Sequence, residues 1–239
     1  MNYYIQYDPN TGLVTGWYLS SQTPQSGSYI IATNNDISNL SSASYPLAWT
    51  VANNQLIAPT ANSELLAYQS QKTNLLSINC TQAIYNGFSA NVAGNNYTIT
   101  LREDNTKHDQ TNALMASMAA QGAMQKAGIW SANTTYYPNS VIVSNSIYYM
   151  TFSGGLSGNS QPVFPSDFSL SVTDGTIQWY KMGFRISTSN GAIIVDPPTA
   201  VSLFEQGIVF VNAMREKYNI LKSQVMTANN SNTVASINW

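Results

Sequence analysis

Charge is scarce in this chain. Only 9 Lys and Arg and 11 Asp and Glu occur among 239 residues, against about a quarter of positions in an ordinary soluble protein. The formal net charge is -2, and the basic residues form no cluster. Neutralisation of phosphates therefore has no footing, and nucleic acid is not an expected partner. Cys80 is the single cysteine, which excludes an internal disulfide and a cysteine metal cluster. A buried apolar position is expected for it. His108 is the single histidine, with no set of neighbouring ligands to hold a metal. No run of about 18 apolar residues exists, so no membrane insertion is expected. The opening MNYYIQYDPN has no basic start and no apolar stretch. No secretory leader is expected there, and synthesis in the cytoplasm is.

What fills the gap is small and neutral. There are 27 Asn and 29 Ser, with 15 Tyr. Hydrophobic residues make up 44%, enough for a core. A neutral surface rich in amides, hydroxyls and phenols suits protein assembly, sugar binding or an extracellular particle. The carboxylates are scattered. Only Asp167 and Asp174 fall in the aromatic region, the first in a polar loop and the second at an expected turn, so paired acids for glycoside hydrolysis are poorly supported. No nucleophile elbow or phosphate-cradling glycine loop occurs. The chain is expected not to be an enzyme, and no cofactor or metal is expected.

The periodicity predicts a multidomain α+β fold in four segments. Residues 1–60 read as a β-rich unit, because Tyr3, Ile5 and Tyr7 alternate before the Asp8–Gly12 turn and Leu13–Leu19 returns. SYIIAT and WTVANNQLIA read as further short strands, turning at Asn53 and Asn54. Residues 61–127 hold a helix starting at Ser63 as N-cap. Leu65, Leu76, Cys80 and Ile84 lie near one face, and Gly87 ends it. A hairpin follows, with Val92 and Tyr97 facing across Gly94, Asn95 and Asn96. A second helix takes Leu114, Met115 and Met118 as its apolar side. Residues 128–186 read as an antiparallel β-module with turns at Asn145-Ser146 and Asp174-Gly175, and Ser153–Ser166 as an exposed loop. Residues 187–239 hold a long helix of about 28 residues, about 42 Å. Its apolar stripe steps by threes, fours and sevens.

Two sets of residues are candidates for contact. In the module, Trp130, Tyr136, Tyr137, Tyr148 and Trp179 are candidate glycan or partner contacts, since flat rings stack on sugar C–H faces and also suit protein interfaces. The alternative is that some aromatics of the module, such as Tyr149 and Trp179, form the small core that such a unit needs. On the long helix, Phe204, Ile208, Val211 and Tyr218 form a candidate assembly face.

The helix, NVAGNNYTITL hairpin and DQTNALMASMAAQ helix, continued by STSNGAIIV and the long helix ending in SNTVASINW, resemble two halves of an uncharacterised domain. That domain occurs in phage tail and prophage proteins. The unit between them is similar to aromatic-rich modules repeated in tail-fibre and tailspike proteins, which resemble small carbohydrate-binding modules. Trp130, Tyr136, Val141, Tyr148, the Gly154–Gly158 loop, Pro162, Asp174-Gly175 and Trp179 carry that likeness. Asn139-Ser140 departs from it, standing where Gly-Asp is common. MNYYIQYDPNTGLVTGWY resembles the opening of small tail-associated and fibre-assembly proteins.

The resemblance implies a structural component of a phage tail, in the baseplate, tail tip or fibre, carried in the virion. Its implied partners are other tail proteins, copies of itself with a trimer favoured, and host cell-surface polysaccharide. A fibre-assembly chaperone and a free-standing carbohydrate-binding protein are the alternatives.

Overall fold

The computed structural model describes residues 2–20, 27–43 and 49–239, so the expected segment 1–60 is described in part. The fold is multidomain α+β, built from small sheets and helices. It divides into two units, 1–80 with 216–239, and 81–215. Those divisions fall inside two helices and differ from the four expected segments.

The first unit opens with strands β1 (Asn2–Tyr7), β2 (Val14–Ser20) and β3 (Ser28–Ala32), an antiparallel sheet in the order β2-β1-β3. Asp8 shapes the expected turn, its Oδ1 accepting from the Asn10 N–H at 2.7 Å. Gly12 closes it at φ +72°, where a side chain would press on the Val51 carbonyl. Helix α1 (Asn34–Ser42) follows, started by a capping box in which Thr33 and Asp36 satisfy each other's backbone N–H. Strands β4 (Thr50–Ala52) and β5 (Gln55–Ile57) turn at Asn53 and Asn54, both at positive φ, as the sequence predicts. Ile5, Val14, Ile30, Leu40 and Val51 form the core of this part.

Helix α2 (Ala61–Asn86) begins two residues before the expected N-cap. Thr60 holds that end instead, its hydroxyl accepting from the Ser63 N–H at 3.2 Å. In the first unit, α2 packs with the second part of helix α4 (Pro197–Thr227) and with α5 (Ser231–Ser236) around Leu76, Val225 and Val234. Gln69 is buried and its amide donates to the Val225 and Ala228 carbonyls, each at 3.0 Å, closing the end of α4. Lys72 donates to the Ala235 carbonyl at 3.2 Å and holds the final residues in place. Cys80 is buried, in the position expected for it.

The second unit contains strands β6 (Phe88–Val92), β7 (Asn95–Ile99), β15 (Phe184–Thr188) and β16 (Gly191–Val195), in the order β16-β15-β7-β6. Its first hairpin turns at Ala93-Gly94, so Val92 faces Asn95 and Tyr97 faces Ala90, two residues from the expected pairing. Helix α3 (Asp109–Lys126) and the first part of α4 complete the core with Ile99, Ala120, Ile186, Val195, Ala200 and Leu203. Helix α3 turns the other way from expectation. Ser117, Ala120 and Ala123 are buried, while Leu114, Met115 and Met118 are exposed. Small residues bring the backbone close to its neighbours, and periodicity read from large residues misses that face.

Helix α4 starts at Pro197, the first residue of the Pro197-Pro198 pair. Proline is tolerated in a first turn because its missing N–H has no helical partner there. The Asp196 carboxylate accepts from the Thr199 N–H at 2.9 Å and caps the helix.

Between α3 and β15 in sequence lie β8 (Gly128–Ile129), β9 (Thr135–Tyr136), β10 (Val141–Ser144), β11 (Ile147–Met150), β12 (Gly155–Leu156), β13 (Ser171–Asp174) and β14 (Ile177–Lys181). Five of them form a sheet in the order β13-β14-β11-β10-β8, and β12 pairs with β9. The β8 and β10 pair is parallel and the others are antiparallel. Asn145 and Ser146 make a two-residue turn with φ of 50° and 63°, the geometry that hairpins favour. Asn139 takes φ 65°, so the Asn139-Ser140 turn forms without glycine.

Candidate functional site

The module is organised around Asp174. Its Oδ2 accepts from the Trp130 indole N–H at 2.7 Å and from the Trp179 indole N–H at 3.0 Å. Its Oδ1 accepts from the Gly158 backbone N–H at 2.7 Å. The side chain is 3% exposed. The turn itself is Gly175-Thr176, with Asp174 as the last strand residue facing Ile177. Asp174 is thus a buried clamp on both indoles and on the loop, beyond the turn role expected for it. Thr176 and Ser157 continue the network. The Leu156 N–H donates to Thr176 at 2.8 Å, and Ser157 donates to the Ser131 carbonyl at 2.8 Å.

This network decides where the candidate aromatics sit. Trp179 is fully buried, which corrects its expected role: a ring with no exposed face cannot stack on an outside ligand. Tyr136 is half-buried and packs edge-on against Trp179, with centroids 5.0 Å apart. Its hydroxyl accepts from the Ser131 N–H at 2.8 Å. Trp130 is also half-buried on that core. Tyr148 lies on the opposite face of the sheet from Tyr149, half-buried. Tyr137 alone of the five stands clear, 75% exposed. The expected loop Ser153–Ser166 is not exposed throughout, since Gly154 and Ser157 are buried. Phe152 was not singled out in the sequence, although it is exposed and packs on Tyr180 at 5.2 Å.

The second candidate surface lies on α4. Phe204, Ile208 and Val211 line an apolar cavity of about 220 Å³ in the second unit, together with Ile99, Leu101 and Ile186. The buried line of the helix runs one position earlier, through Ala200, Leu203 and Gly207. Ile208 is 45% exposed. Tyr218 belongs to the first unit, where it packs beside Leu221 on the Leu76 and Val225 core. The expected face is therefore three residues on a groove and one in a core.

Three carboxylates, Glu103, Asp104 and Asp167, are held by local hydrogen bonds. Glu103 accepts from His108 Nδ1 at 2.9 Å and from the Thr111 N–H at 3.1 Å. These bonds, His108 foremost, hold its carboxyl below the usual range. Hydrogen bonds from Thr106 lower Asp104, and those from Ser169 lower Asp167. Burial raises the Tyr149 phenol. Among the described residues, no group of three or more His, Cys, Asp and Glu side chains is placed to hold a metal.

No family model matches the chain, and neither a curated protein nor a solved structure matches it.

Proposed function

We propose that the chain is a structural component of a bacteriophage tail, which joins subunits and displays its β-module towards a neighbouring subunit or the host surface glycan. The observation that carries this reading is the outward placement of large apolar residues on helices. On α3, Leu114, Met115 and Met118 are 42%, 64% and 63% exposed, while serine and alanine fill the inward face. On α2, Leu75 and Ile78 are exposed, and on α4 so are Val209 and Ile220. Apolar area left in water is the driving force for association, at about 25 cal/mol per Å² once buried. The scarcity of charge supports the same reading, since few side chains must be stripped of water.

The resemblance of the hairpin, helix and aromatic-module sequences to tail proteins supports a phage tail as that assembly. Its partners are other tail proteins and further copies of this chain, three being favoured. The module sits between α3 and β15 in sequence, so its loops vary without disturbing the strands on either side. Immunogold electron microscopy of the phage that encodes the chain tests the reading. Gold confined to tails is expected. Particles that stay unlabelled, while free chain in the lysate is labelled, would sink it.

A further inference from the structure

We infer that the cavity beside α4 in the second unit binds a small anionic amphiphile, an apolar chain ended by a carboxylate, in a role beyond assembly and independent of it. Every residue lining the cavity belongs to the second unit. Phe204, Ile208, Val211 and Arg215 line it at spacings of four, three and four, so they share one side of α4. Three apolar side chains are thus followed by a cation.

The apolar walls are accessible. Ile208 is 45% exposed, and Ala113, Phe204 and Val211 are half-buried. Leu101 and Leu203 are buried and close the inner side, where Gly207 adds no side chain. The cavity measures about 220 Å³. At roughly 30 Å³ for each heavy atom, the share of a water in the liquid, there is room for about seven. A carbon chain of that length fills it.

Charge sets the head group. Among the described residues, Arg215 is the one charged group on the lining, and Glu205 and Glu216 are not part of it. The Arg215 guanidinium makes no ion pair or hydrogen bond among the described residues. The acids at the start of α3 are engaged, Asp109 accepting from the Arg102 N–H at 3.3 Å and Glu103 from His108 Nδ1 at 2.9 Å. A guanidinium presents a fork of donors that matches a carboxylate. Asn212, one turn before Arg215, is exposed and adds an amide donor. Gln110 Nε2 donates to the Leu101 carbonyl at 2.7 Å, which fixes that side chain on the lining. A cationic ligand meets like charge here, and a purely apolar one leaves the guanidinium without a partner. A small polar anion gains nothing from the walls. A chain ended by a carboxylate uses both.

The test is methyl NMR of the full chain with labelled isoleucines, titrated with octanoate, octan-1-ol and octylamine. Ile208 also stands on the expected assembly face, so a bound amphiphile and a subunit docked there exclude one another, and the chain is titrated without tail partners. Octanoate is expected to shift the Ile99, Ile186 and Ile208 methyls and to leave Ile5 and Ile30 of the first unit in place. Octan-1-ol should bind about fivefold more weakly or worse, and octylamine more weakly still. From pentanoate to octanoate, affinity should rise about fourfold with each methylene. Arg215→Gln, a change at an exposed residue, should lower octanoate to the affinity of octan-1-ol and leave octan-1-ol unchanged. Arg215→Glu should favour octylamine over octanoate. No shift at the three cavity methyls, equal binding of octanoate and octan-1-ol, or an octanoate affinity unchanged in Arg215→Gln would overturn the inference. None of these outcomes touches tail location, which immunogold reads separately.

Discussion

Replacing Asp174 with alanine removes the acceptor of three donors at once. The bonds from Trp130, Trp179 and Gly158 are 2.7, 3.0 and 2.7 Å long, and the carboxylate they meet is buried. A buried donor left without a partner costs about 1–3 kcal/mol. The three share one acceptor and are not additive, so about 3–5 kcal/mol is expected in total. That is a large fraction of the roughly 5–15 kcal/mol that holds a typical domain folded. Asp174→Asn keeps the volume but turns an amide N–H₂ towards one of the donors, and about 1–3 kcal/mol is expected. Urea unfolding followed by tryptophan fluorescence is the direct assay, because two of the donors are indoles. The alanine variant should lose the near-ultraviolet dichroism of the module and unfold at lower denaturant. A shift of less than about 1 kcal/mol in Asp174→Ala would refute the clamp.

Three further outcomes are expected. Gly87 holds φ +79°, and a Cβ there would overlap the Ile99 carbonyl oxygen; Gly87→Ala should cost about 2 kcal/mol or more, read as a lower thermal midpoint. The Glu103 carboxyl is lowered in the folded chain from its ordinary 4.5, so its stabilisation is present above that value and lost as pH falls through the lowered one. Glu103→Gln should flatten the acid side of the melting profile and leave its shape near neutrality unchanged; an identical acid side in both proteins would contradict this. Ile208 is partly exposed on the α4 groove, so Ile208→Asp should keep the helical dichroism of the wild type while its sedimenting mass falls to that of a monomer. A monomeric wild type, or a variant of unchanged mass, would remove the groove from assembly.

Local signals in the sequence proved the more legible ones. The turns at Asn53-Asn54 and Asn145-Ser146 depend on residues that tolerate positive φ, and that tolerance is written at the position itself. Helix α1 was also written locally, as Thr33 and Asp36 three residues apart, but its apolar side chains Ile37 and Leu40 are too few to announce it by period. The face of α3 was not legible, because alanine and serine carry little weight in a hydrophobic pattern and the large residues point outward. The candidate aromatics show a similar limit. Asp174 reads as a turn residue because Trp130 is 44 positions away in the chain, and strand pairing alone brings the two together. That pairing also buries Trp179, leaving Tyr137 and Phe152 as exposed rings of the module.

The central claim is that this chain is a fixed part of a tail, and quantitative mass spectrometry of purified particles tests it most directly. Peptides of the chain would be measured against those of a tail subunit of known copy number. The expected result is a constant ratio across preparations, in threes or sixes per particle. Absence from particles, with abundant chain in the infected-cell lysate, would contradict a structural role and point to a helper that leaves before the particle is complete.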